Sequence, residues 1–132
     1  VSTKLRSVDQ LHKDLVALRL PGLSFKRVSL TSPTGAAMGI GIYVEVSDWD
    51  DWNPTELSFH LMRLAARYNA KNPFAAASAD AALLFNKHTG SLEWWNALKR
   101  DGARVDVEGF FRKWKREAHA FQQNSRRFWL YN

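Results

Sequence analysis

Between Met38 and Val46 the chain alternates strictly, with Ile40, Ile42, Val44 and Val46 on one side and Gly39, Gly41, Tyr43 and Glu45 on the other. A period of two belongs to an extended strand and cannot be laid on a helix. An all-helical fold is thereby excluded. Two glycines on one face leave room for a ring or a second backbone to approach closely. Phe25–Leu30 reads as another strand, with Val28 and Leu30 on one face, and the intervening Thr31–Ala37 is rich in turn formers (Ser32, Pro33, Thr34, Gly35). Two strands joined by so short a loop predict an antiparallel pair.

The rest of the chain follows helical spacing. Ser7 with Gln10 forms a capping box, and Val8, Leu11, Leu15 and Leu18 repeat on one face until Pro21–Gly22 stops the helix. After a polar bend, Asp48–Asn53, comes a strong start: Asn53 as cap, Pro54 at the first helical position and Glu56 three residues past the cap. Leu57, Leu61, Leu64, Ala65 and Tyr68 carry that helix to about residue 70. The Ala-rich stretch 76–86 predicts a short helix ending near Lys87–Gly90. Ser91 caps the next, with Leu92, Trp95 and Leu98 on one side and Gly102 at its end. Val107, Phe110, Phe111, Trp114, Ala118 and Phe121 form the wide apolar stripe of a last helix. Phe128–Trp129–Leu130–Tyr131 has high strand propensity and is expected to return to the sheet. The expected fold is therefore α+β: a small antiparallel sheet of about three strands packed against four to five helices. With 132 residues, no repeat and no linker, residues 1–132 read as one domain, with 1–6 as a frayed lead-in. Val1 in place of an initiator Met suggests a piece of a longer protein.

Residues that could carry chemistry are present without the spacing that chemistry needs. Asp48, Asp50, Asp51 and Glu56 cluster, but nothing sets two of them across a bond as glycoside hydrolysis requires. They read as turn formers and as acids at a helix N-terminus. His12, His60, His88 and His119 include no i, i+4 pair, and the chain has no cysteine. No metal site, nucleotide loop or nucleophile elbow follows from these patterns, and no cofactor is called for.

Two features remain. Residues 99–127 hold nine Lys or Arg against four acids, within a net charge of +6. A solvated helix face is the plain explanation; attraction to an anionic polymer is the other. Six tryptophans are unusual for this length. Trp95 and Trp114 fall on core stripes and Trp129 on the expected third strand, whereas Trp49, Trp52 and Trp94 are less easily placed inside. Exposed Trp can stack on a sugar or a base; alternatively Trp49 and Trp52 cover the end of the sheet.

The ordered landmarks resemble those of one family. Leu20-Pro21-Gly22-Leu23-Ser24-Phe25-Lys26-Arg27-Val28, Thr31-Ser32-Pro33-Thr34, the glycine-marked strand 39–46 and Asp48 lead the series. The helix from Pro54, Phe85-Asn86-Lys87 with Thr89-Gly90, the Trp114 to Phe121 spacing and Arg127-Phe128-Trp129-Leu130-Tyr131 complete it. Together they are similar to the C-terminal domain of the bacterial exo-β-N-acetylmuramidases, across about residues 8–131. The resemblance implies a non-catalytic domain that packs on a Rossmann-like N-terminal catalytic domain of the same parent chain. There it would wall one side of a cleft for muramyl sugar or a peptidoglycan fragment, in a periplasmic or secreted enzyme without membrane insertion. On that reading Thr31, Ser32 and Thr34 of the loop and Trp49 and Trp52 would contact the sugar, and a last helix that buries Phe111 and Trp114 against the domain's own sheet would fit it. The loop Pro33–Met38 departs from the family in being short and uncharged. A nucleic-acid-binding module is the rival from another class: it would line Arg112, Lys113, Lys115 and Arg116 along one groove, and positions 112, 113 and 116 can share a helix face. A protein-docking domain with an apolar patch is a third.

Overall fold

The computed structural model describes residues 8–130. The elements run α1 (Val8–Ala17), β1 (Leu23–Thr31), β2 (Ala37–Val46), α2 (Pro54–Tyr68), α3 (Ala79–Thr89), α4 (Leu92–Asp101) and α5 (Val107–Ser125). Short 3-10 turns follow α4 at Gly102–Arg104 and α5 at Arg126–Phe128. The α+β class is as the residue pattern predicts. Ser7 and the expected lead-in lie outside the described residues.

Local chemistry sets most boundaries. The Asn53 side chain accepts from the Thr55 amide, with Pro54 in the first turn of α2. Ser78 and Ser91 cap α3 and α4 in the same way, and Gly90 closes α3 in the left-handed conformation. Each cap satisfies a helix-end amide or carbonyl that would otherwise lack a partner.

The core belongs to the helices. Phe59 of α2, Trp94, Ala97 and Leu98 of α4, Val105, and Val107 of α5 form one buried cluster. Phe59 meets Trp94 at 4.5 Å and Trp114 at 4.8 Å between ring centroids, and Trp94 meets Phe110 at 5.1 Å. Tilted and edge-on pairs of this kind add about 0.5–1.5 kcal/mol each beyond the area they bury. Phe111 and Trp114 are thus packed on α2 and α4, and the expectation that they would cover the sheet is corrected. The sheet was also expected to include Trp129, but among the described residues it has two strands, β1 and β2. Phe128 instead closes the 3-10 turn after α5, Trp129 is half-exposed and Leu130 is 88% exposed. Strand propensity favours a pleated, half-buried setting, and this segment instead continues the end of α5 as a 3-10 turn. Tyr131 lies outside the described residues.

The hairpin is antiparallel, with Leu23 opposite Val46 and Leu30 opposite Gly39, and a bulge between Leu30 and Thr31. Pairing places Val28 and Leu30 on the glycine face, where the Leu30 side chain lies over Gly41. The close approach that the two glycines permit is therefore made by a neighbouring leucine. Helix α1 packs against both strands. His12 Nε2 lies 2.9 Å from the Phe25 carbonyl, and Arg27 pairs with Asp9. Much of the hairpin's apolar surface stays open, including Met38, Ile40, Tyr43 and Val44. Alternation thus predicts the strand but not a buried face. At the base of the hairpin, Gly22 has φ +69° and its carbonyl accepts from Ser47 (2.8 Å) and Asp48 (3.3 Å).

Candidate functional site

The residues expected to touch sugar fall at opposite ends of the hairpin. Thr31, Ser32 and Thr34 are at its tip, whereas Trp49 and Trp52 follow the base of β2. A rise of about 3.4 Å per residue separates the two groups by about 27 Å along β1. At the tip the hydroxyls serve the turn: Ser32 Oγ lies 2.8 Å from Thr34 Oγ1 and accepts from the Ala36 amide at 3.1 Å. At the base Trp49 is 72% exposed and meets Trp52 edge-to-face at 5.3 Å. Trp52 Nε1 is buried without an acceptor among the described residues. Asp48 Oδ1 accepts from the amides of Asp50 (2.9 Å) and Asp51 (3.4 Å), so this acidic bend is an Asx turn. Trp94, hard to place from sequence, is wholly buried.

A second feature lies next to the tryptophan bend along the chain. The N-terminal turn of α2 and the outer flank of α5 enclose a cleft of about 610 Å³, lined by Asn53, Thr55, Glu56, Phe111, Arg112, Trp114, Lys115 and Ala118. Its floor is apolar and its rim carries two cations and one carboxylate. Arg112 has one ion pair, a long one to Asp106 at 3.9 Å, and both side chains are exposed. Lys115 has no ion pair among the described residues. A shallower dip alongside is lined by Arg112, Lys115, Arg116 and His119. These four are spaced three and four apart and so share one helix face. Lys113 is on the other flank, paired with Glu93 and, at 3.8 Å, with Glu117. Of the four basic residues expected along one groove, the structure joins Arg112, Lys115 and Arg116 and turns Lys113 away. The spacing 112, 115, 116, 119 is what adds His119 to that face.

Across α2 from the core ring cluster, His60 is buried, and its Nδ1 accepts from Arg63 Nη2 at 3.0 Å. Arg63 Nη1 also donates to both Glu108 oxygens, at 3.2 and 3.0 Å, tying α2 to α5. Burial pushes the imidazole pKa down, the Arg63 charge adds to that, and Glu108 opposes it. A group that is harder to protonate when folded makes stability fall as protons are added. Stability is expected to be complete above about pH 6.5, the value for a free imidazole, and to decline as pH falls below it. Urea unfolding at pH 7.5 and 5.5 measures this, and His60→Gln should flatten the slope.

Among the described residues no three His, Asp or Glu side chains come together as a metal site, and no helix is long and apolar enough to cross a membrane. The family model described as the C-terminal part of the exo-β-N-acetylmuramidase NamZ matches residues 3–131. No curated protein matches the sequence. Among solved structures, a DUF1343 family protein from Bacteroides fragilis superposes with a TM-score of 0.70 at 23% identity. The likeness covers 96% of this chain and 33% of that one, so the chain spans about a third of that protein's length.

Proposed function

Because the chain belongs to the C-terminal domain family of the exo-β-N-acetylmuramidases, we propose that it is a non-catalytic domain forming one wall of a muramyl-sugar cleft. The catalytic residues then reside in an N-terminal domain of the same parent chain, and the parent is an envelope glycoside hydrolase acting on peptidoglycan fragments. The observation that supports this reading is the apolar surface left open on a well-packed domain. Met38 and Ile40 of the hairpin, Phe121 of α5, and Phe128 and Leu130 beyond it are all more than half exposed. Large apolar side chains left open in this number are what a surface covered by another domain would present. One sugar ring cannot meet both ends of the hairpin. In this reading Trp49 and Trp52 are the sugar contacts, while Thr31, Ser32 and Thr34 shape the wall at the far end.

The test compares a parent enzyme of this family, intact, with the same enzyme lacking this domain. Release of N-acetylmuramic acid from a non-reducing-end muramyl glycoside is the readout. The intact enzyme should turn over, and the chain of 132 residues alone should release nothing. Full activity after deletion of the domain would overturn the proposal. The rival, a nucleic-acid-binding module, is favoured by the row Arg112, Lys115, Arg116 and His119. It requires affinity for a single-stranded oligonucleotide that falls steeply with salt, as counterion release dictates.

A further inference from the structure

We propose that the cleft between the N-terminal turn of α2 and α5 is a subsite for a carboxylated sugar, with Arg112 and Lys115 holding the carboxylate. Three observations lead there. The cleft, at about 610 Å³, is within the roughly 300–1,000 Å³ typical of small-molecule sites. Its cations are uncommitted: Arg112 holds only the long pair to Asp106, whereas Lys113, on the opposite flank, is engaged by two glutamates. An incoming carboxylate would therefore displace little and gain charge-assisted hydrogen bonds. The remaining lining suits the rest of a sugar. Phe111 and Trp114 offer an apolar floor for a ring face, and Glu56 and Thr55 offer acceptors for hydroxyls.

Glu56 also lines the cleft, so the carboxylate has to sit on the Arg112 and Lys115 side, away from that like charge. The choice of a carboxylated sugar rests on the muramyl-sugar reading above, because that sugar carries a lactyl carboxylate; the anion chemistry of the cleft does not. The short, uncharged 32–36 tip makes such a subsite the more necessary, since no charged side chain stands there.

The experiment is a heteronuclear NMR titration of the 132-residue chain with N-acetylmuramic acid. N-acetylglucosamine is the neutral counterpart without the lactyl group, and a single-stranded oligonucleotide is the polyanion. N-acetylmuramic acid should shift the amides of Thr55 and Glu56 and those of 111–118, with N-acetylglucosamine at least about tenfold weaker. Lys115→Gln, at an exposed position that does not support the core, should weaken binding by about tenfold, and Arg112→Gln likewise. Equal binding of the two sugars, silence with both, or unchanged affinity in both variants would overturn the inference. So would salt-steep shifts of the same amides by the oligonucleotide. Failure here is distinguishable from failure of the functional proposal: the domain deletion reads the latter without reference to Arg112 or Lys115.

Discussion

Replacing Trp94 by alanine should lower the unfolding free energy by about 3–5 kcal/mol, the largest loss expected from any single side chain of this domain. Trp94 is 0% exposed and meets Phe59, Phe110 and Trp114. Its indole N–H, which a buried site must satisfy, donates to the Met62 thioether at 3.2 Å. Alanine would remove the ring that joins α4 to both α2 and α5 and leave a void that the close-packed neighbours cannot fill. Against a typical domain stability of about 5–15 kcal/mol, that is about a fifth of the whole at the least. With a urea dependence of about 1–3 kcal/mol per M, the midpoint should fall by at least about 1 M. Leu92→Ala is the control. Leu92 is exposed two residues away on the same helix, and its loss should stay within about 0.5 kcal/mol. Equal losses at the two positions would mean that α4 presents a different face to the core.

Gly22→Ala should cost about 3 kcal/mol, for reasons that the backbone supplies. A Cβ there would come within 2.3 Å of the Asp48 carbonyl oxygen and 2.8 Å of the Trp52 amide nitrogen. Both are main-chain atoms, so relief requires the junction itself to move, with loss of the bonds that Ser47 and Asp48 donate to the Gly22 carbonyl. The positive φ adds strain of about 1–2 kcal/mol. Gly35→Ala separates the two effects. Gly35 is also left-handed, at φ +83°, but nothing lies within 4 Å of its added carbon. It should lose only the strain, and thermal unfolding of the two variants side by side would show the difference. Because Gly22 anchors the bend that carries Trp49 and Trp52, its replacement should also change the tryptophan emission of the folded state. Gly35→Ala, at the far end of the hairpin, should leave that emission unchanged.

Caps and turns were legible because their energetics are local. Asn53 before Pro54, Ser91 before α4, and Gly90 after α3 act through atoms within a few residues of themselves, so residue identity suffices. The alternation from Ile40 to Val46 was equally plain. What alternation does not reveal is whether a second layer covers the face, and here the hairpin leaves Ile40 and Val44 open. On α4, the spacing Leu92, Trp95, Leu98 and the spacing Trp94, Trp95, Leu98 are both helical stripes. Their choice depends on where Phe59 and Phe110 stand, one of them more than thirty residues earlier in the chain.

The candidate site divides along the same line. Arg112 and Lys115 share a helix face by spacing alone, but the cleft exists only because α5 packs beside a turn of α2 some sixty residues upstream. That packing is set by Phe59 and Trp114 meeting across the two helices, a contact no local pattern encodes. The sequence by itself determined the α+β class, the helix starts and stops, and the antiparallel pair, since hydrogen-bond satisfaction and backbone sterics operate over a few residues. Tertiary structure alone decided that Trp94 is buried and Leu92 is not. It also decided that Phe128–Leu130 continues the end of α5 instead of a strand, and that Arg112, Lys115 and Glu56 line one cleft, because burial and charge proximity depend on which distant segments pack together.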